Sequence, residues 1–184
     1  MATPLRELSR VAVWPLWQRA VHWSLALSVL AALLTHEGGR VHEVIGWAAL
    51  GLALLRVFLG LFGPEPARFR AFVRKPRETL AYARLLRQGR APRLLNHNPL
   101  GAWMVLVLLA LSAAAAASGW LYITDRFWGE AWVIRLHAVL AWPLLGLVAL
   151  HVAGVLHAGW LHRENLVAAM WHGRKRLPDS RPSD

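Results

Sequence analysis

Arg135 to Trp160 reads RLHAVLAWPLLGLVALHVAGVLHAGW. The stretch is apolar and long enough for a bilayer, which a helix crosses in about 20 residues. His137 stands near its start and His151 fourteen positions later. At 3.6 residues per turn those side chains return to within roughly 40° of one face, about 21 Å apart along the axis. Two imidazoles therefore project from one side of one predicted helix, one near each membrane surface. Ionisable groups inside a membrane segment are costly and mark functional positions.

The rest of the chain fits a membrane setting. Of 184 residues, 57 % are apolar and only 17 % charged, and eleven are Trp. The apolar residues come in long blocks rather than amphipathic periods, which favours spans over a soluble core. Four spans are predicted, at about 14–34, 41–62, 100–122 and 135–161. Pro15 suits a first helical turn, and Asn98-Pro99 reads as an N-cap followed by Pro at the first helical position. A basic loop, 63–98, joins spans two and three, and PRETLAYARLLR (Pro76 to Arg87) is a candidate surface helix with Leu80, Tyr82, Leu85 and Leu86 towards lipid. The polar start, Met1 to Arg10, and the basic tail 162–184 flank the spans. A single membrane domain, 1–184, is expected.

The net charge of +11 could suggest nucleic acid, but the basic residues lie between the spans. Of 21 Lys and Arg, eighteen fall on one side once Arg19 and Arg56 are assigned there; only Arg40, Arg126 and Arg135 fall on the other. The positive-inside rule then places both termini in the cytoplasm. Nucleic-acid binding is not expected.

The chain contains no Cys, which excludes disulfides, iron–sulfur clusters, thiolate zinc sites and covalent haem attachment. Histidine remains as the strong metal ligand. With span one running outwards, His22 is inner; His42, at the start of span two, is outer; His137 is outer and His151 inner. The four form two depth-matched pairs, His22 with His151 and His42 with His137. A solitary membrane histidine is ordinarily a packing residue; two pairs matched in depth point to two b-type haems, each held between facing helices. The fold expected is all-α, an integral membrane four-helix bundle running up-down-up-down.

Other residues carry lesser expectations. Arg19 is a propionate candidate for the inner haem, Arg40 and Arg135 for the outer one; ordinary snorkelling anchors would look the same. Gly46 and Gly119 would let a macrocycle approach a helix, or serve only close helix packing. His36, His157, His162 and His172 read as turn, interface or tail residues. His97 reads as a loop histidine, with contact to a propionate or a quinone as its functional alternative. The inner ends of spans one and four, with the segment from Asn96 to Pro99, are a candidate quinone contact.

RAVHW with His22, VHEVIGW with His42, the His137/His151 spacing, HNPLGAW and HRENLVAAMWHGRK resemble the bacterial cytochrome b561 and Ni/Fe-hydrogenase b-type cytochrome family, over about Val13 to Arg176. The resemblance implies a four-helix diheme bundle with His22/His151 on one haem and His42/His137 on the other. It also implies electron exchange with quinone or quinol and with a periplasmic c-type cytochrome or a membrane oxidoreductase subunit such as hydrogenase. An electron-transfer subunit, with no catalytic residue of its own, is the first expectation. A self-contained superoxide:quinone oxidoreductase is the alternative, with Arg40, Arg126 and Arg135 steering a small anion. A metal or proton transporter is a third reading, disfavoured because the span centres lack Asp and Glu.

Overall fold

The computed structural model describes residues 10–65, 67–94 and 97–176. The start of the N-terminal tail, Asn96 and the end of the C-terminal tail lie outside the described residues. Four long helices dominate: α1 (Leu16–Leu34), α2 (Arg40–Phe62), α5 (Pro99–Tyr122) and α6 (Ala131–Leu161). Between α2 and α5 lie two short helices, α3 (Phe69–Phe72) and α4 (Pro76–Arg87). After α6 come α7 (Leu166–His172) and a strand, β2 (Arg174–Arg176), which pairs antiparallel with β1 (Arg10–Ala12).

Three of the long helices, α2, α5 and α6, have the length and hydropathy to cross a membrane. Helix α1 is 19 residues long, but Gln18, Arg19 and His22 crowd its first two turns and lower its mean hydropathy. Large apolar side chains point outwards along these helices; Leu27 is 63 %, Phe58 57 % and Trp160 78 % exposed. Such surfaces are intolerable in water but match lipid, and closed intrahelical hydrogen bonding is what the hydrocarbon requires.

Helix α1 packs on α2, α2 on α5 and α5 on α6. The antiparallel reversal from α1 to α2 takes five residues, and Gly38 and Gly39 make it with φ of 89° and 87°, a region that favours glycine. All four long helices contribute to one core cluster: Val29, Ala49, Ala115 and Leu144, with Leu25, Leu33, Leu108, Leu111, Leu140 and Val148 around them. Leu140 lies one turn beyond His137 and Val148 one turn before His151, so this apolar layer lies between the two histidine levels. Backbone packing of α6 against α1 or α2 is sparse among the described residues. Those are the helix pairs that carry the paired histidines.

The element boundaries depart from the sequence reading in informative ways. Helix α6 begins at Ala131 rather than 135, because Glu130 serves as its N-cap residue and Val133 is fully buried in its first turn. It is about 46 Å long and contains Pro143, whose missing N–H leaves one turn of the ladder open. Pro15 lies just outside α1 as its N-cap residue rather than within the first turn. Asn98 caps α5 as expected, its Oδ1 accepting the Gly101 N–H at 2.7 Å, with Pro99 as the first helical residue. Helix α4 forms over the residues expected; its Leu80 and Leu85 are exposed, but Tyr82 is buried rather than lipid-facing, which raises the pKa of its phenol by desolvation.

The described part of the tail, residues 162–176, holds α7 and β2 against the start of α1. The backbone N–H groups of Val13 and Trp14 donate to Gly173 O at 2.9 and 3.1 Å. Gly173 has φ of 80°, and a Cβ there would run into Trp14 O and Arg19. The Glu164 carboxylate pairs with Arg93 at 3.0 Å and accepts the Arg176 backbone N–H at 3.0 Å, while Arg93 also donates to Arg176 O at 2.7 Å. Residues 10–14, residues 164–176 and the long loop are thereby tied together over the end of the molecule that carries His22.

Candidate functional site

Two of the four histidines face each other directly. The imidazoles of His42 on α2 and His137 on α6 stand with ring centroids 5.9 Å apart and planes at 89°. Both rings are partly buried. The Nδ1 of His137 lies 2.9 Å from Ala115 O and 3.1 Å from Ser118 Oγ. Because Ser118 Oγ itself donates to Ala115 O at 2.7 Å, its lone pairs face the ring. Both contacts therefore assign the His137 proton to Nδ1 and leave Nε2 with a free lone pair.

His42 is held by the same logic. Its Nδ1 lies 3.3 Å from Thr35 Oγ1, and that hydroxyl donates back to Ala31 O at 2.8 Å. Thr35 thus accepts from His42 Nδ1–H, and His42 Nε2 is free. Metal-binding histidines are oriented in this way, one nitrogen tied to an oxygen and the other left to the metal. Glycine at position 119 admits the arrangement: a Cβ there would lie 3.2 Å from His137 Cε1 and 3.3 Å from its Nδ1. A Cβ at Gly46, one turn beyond His42, would meet nothing within 4 Å.

At the other end, His22 on α1 lies edge-on to Trp23 at 5.4 Å, and Trp23 in turn meets Trp171 of α7 at 5.9 Å. His151 on α6 and Arg56 on α2 are both close enough for their charges to be felt at His22. The described residues form no direct hydrogen bond between His22 and His151. His97 sits beyond them in the loop before α5, between the rings of Trp14 at 4.8 Å and Phe72 at 4.6 Å. Burial, then the neighbouring Arg56 and Lys175 and the two histidines, holds its pKa down to about 3. Lys175 is itself buried, with its ammonium 5.9 Å from the Trp14 ring and its pKa lowered by desolvation.

The arginines expected to meet anionic groups differ in setting. Arg19 is partly buried, and its guanidinium donates to Trp171 O. Arg40 and Arg135 are exposed, and Arg135 Nε turns back to Ala131 O of its own helix at 3.2 Å. His36 and His157 are exposed and His162 is partly buried, none of them beside a paired histidine ring.

A six-coordinate haem iron would need two axial ligands. His42 and His137, with Nδ1 of each engaged and Nε2 of each unengaged, are the two imidazoles that would be placed to hold such an iron. Residues 13–173 match the family of prokaryotic cytochrome b561. The chain belongs to the prokaryotic cytochrome b561 family. Searches of curated proteins and of solved structures returned no significant match. Membership makes the chain a multi-pass membrane protein of a family that binds b-type haem and carries electrons.

Arg56 is the residue that sequence reasoning undervalued. It was counted for topology, yet it is only 8 % exposed. The signal available was an arginine six residues inside the end of an apolar span.

Proposed function

We propose that the chain is a diheme cytochrome b, one membrane domain whose four long helices all cross the bilayer as an up-down-up-down bundle. His42 and His137 are the axial ligands of one haem, His22 and His151 those of the other. The observation that carries this reading is the facing His42/His137 pair with both Nδ1 atoms engaged and both Nε2 atoms free. Haem, when bound, supplies one-electron chemistry. The chain's own residues supply the rest. Ala115, Ser118 and Thr35 fix the ring tautomers. Gly119 seats His137, and Gly46 leaves open space on α2. The apolar layer around Val29 and Leu144 excludes water between the two levels.

The fourteen-residue step along α6 sets the two levels about 21 Å apart, so electrons would pass through the membrane in two stages. Positive residues cluster at the His22 end, which makes that end, with both termini, cytoplasmic in a bacterial inner membrane. The His42 end then meets a periplasmic-side donor or acceptor, a c-type cytochrome or a membrane oxidoreductase subunit, and quinone or quinol exchanges electrons with the chain. Arg19 serves the inner haem propionates; Arg40 and Arg135 serve the outer ones. Haem content by pyridine haemochrome in the wild type and in His→Ala variants at 22, 42, 137 and 151 tests the reading.

A second reading is a self-contained superoxide:quinone oxidoreductase. It is favoured by the exposure of Arg40, Arg126 and Arg135, which would draw a small anion to the His42 end. Quinone reduction by superoxide with the purified chain alone separates it from the first.

A further inference from the structure

Arg56 is a buried cation without an anion. It is 8 % exposed, and among the described residues no carboxylate lies within ion-pair distance of it. Its one hydrogen bond among the described residues, from Nη1 to Ala67 O, is a long 3.3 Å. The Phe69 ring covers the guanidinium, 5.2 Å from centroid to Cζ. Gly60 makes room for that ring, since a Cβ there would overlap it. Taking a charge from water into a low-dielectric site is costly unless it is paired, and this site is built around the charge rather than avoiding it.

The surroundings repeat the pattern. Buried polar atoms without a partner among the described residues include Arg19 Nε, Trp23 Nε1 and His97 Nδ1. All three lie at the His22 end. Arg56 is felt electrostatically by both His22 and His97. Of the carboxylates at that end among the described residues, Glu164 is paired with Arg93, the exposed Glu65 with Arg70, and Glu78 is exposed in the first turn of α4. A buried cation and several idle donors around one ligand histidine form a site for an anion that the described residues do not supply.

We propose that Arg56 and His97, together with Trp23 and the Arg19 already considered, bind the two carboxylates of the haem at the His22/His151 level. This deepens the diheme reading and rests on it. A carboxylate carries the right charge and takes N–H donors from several directions. The apolar covers, Phe69 over Arg56 and Trp14 and Phe72 about His97, then act to keep water from competing.

The test uses the full chain in detergent, prepared without haem and loaded with protohaem or with protohaem dimethyl ester, whose carboxylates are masked. Binding is read from the Soret band, with the His22/His151 site isolated in the His42→Ala background. The wild-type inner site should prefer the free acid by about tenfold or more. Arg56→Gln and His97→Leu should lose most of that preference by weakening protohaem alone, and Arg56→Lys should keep part of it. Equal binding of acid and ester by the unsubstituted inner site would overturn the proposal, as would an unchanged preference in both Arg56→Gln and His97→Leu. Loading of the His42/His137 site when Arg56→Gln or His97→Leu is placed in the chain that keeps His42 reports that the variant is folded. Should neither variant fold, the acid-to-ester comparison in the unsubstituted site decides. Failure of the inner site to take either porphyrin would instead overturn the diheme reading itself.

Discussion

His137 lies directly on the backbone of α5 at Gly119, where a Cβ would come within 3.2 Å of the imidazole Cε1. The same ring reaches Ala115 O, one turn earlier on α5, and the Oγ of Ser118, the residue next to Gly119. A helix that contributes no ligand thus sets the position of one. Gly119→Val would push the ring away from α5 and break both contacts. The expected result is loss of most of the haem at the His42/His137 level with the other level retained, read from reduced-minus-oxidised spectra of the purified variant.

Thr35 should matter through its hydroxyl alone. It accepts from His42 Nδ1 while donating to Ala31 O. Thr35→Val keeps the shape and removes the acceptor, so His42 loses its fixed tautomer. Outer-partner losses of this kind cost about 10- to 100-fold in affinity. Haem dissociation into excess apomyoglobin should quicken for one haem only, whereas Thr35→Ser should behave as wild type.

Much of this arrangement was legible in the sequence. Hydropathy blocks located the long helices, and Asn98-Pro99 marked the start of α5 because cap chemistry is local. The apolar stretch around His137 and His151 marked one long helix, and both residues lie on α6, because helix geometry is regular. What was not legible depends on contacts distant in sequence. Ser118 and Ala115 carry no local mark of touching His137. The β1–β2 pairing joins residues more than 160 positions apart, and the tail motif gives no sign of it. Arg56 could be counted for charge, but its burial follows from the fold of Gly60 and Phe69 around it.

Glu164 should be important for stability. Its side chain is 9 % exposed and that of Arg93 21 %, and it also accepts the Arg176 N–H. Glu164→Gln would leave Arg93 largely buried without its counter-ion. Allowing for the part of Arg93 that solvent screens, the loss should be about 2 kcal/mol. Thermal unfolding in detergent should show it, and the Arg93→Leu/Glu164→Leu pair should recover part of the loss.

In the chain without haem, acid should weaken the fold through His97. The unfolded chain protonates this residue near 6.5, the folded chain only near 3. Between those values the unfolded state binds more protons, so stability falls as pH drops through the window and is insensitive to this group above it. Arg56 and Lys175 on neighbouring elements, with His22 and His151, face the ring and add to the effect of burial. His97→Gln should flatten the decline between about pH 6.5 and 3, measured by thermal unfolding across that range.

The most direct measurement is haem per chain, by pyridine haemochrome, on the purified wild type and on the four single His→Ala variants. Two b-type haems in the wild type are expected. Substitution at His42 or His137 should remove one spectral component, and substitution at His22 or His151 the other. One haem in the wild type, or a single component lost on substitution at both His42 and His22, would contradict the paired assignment.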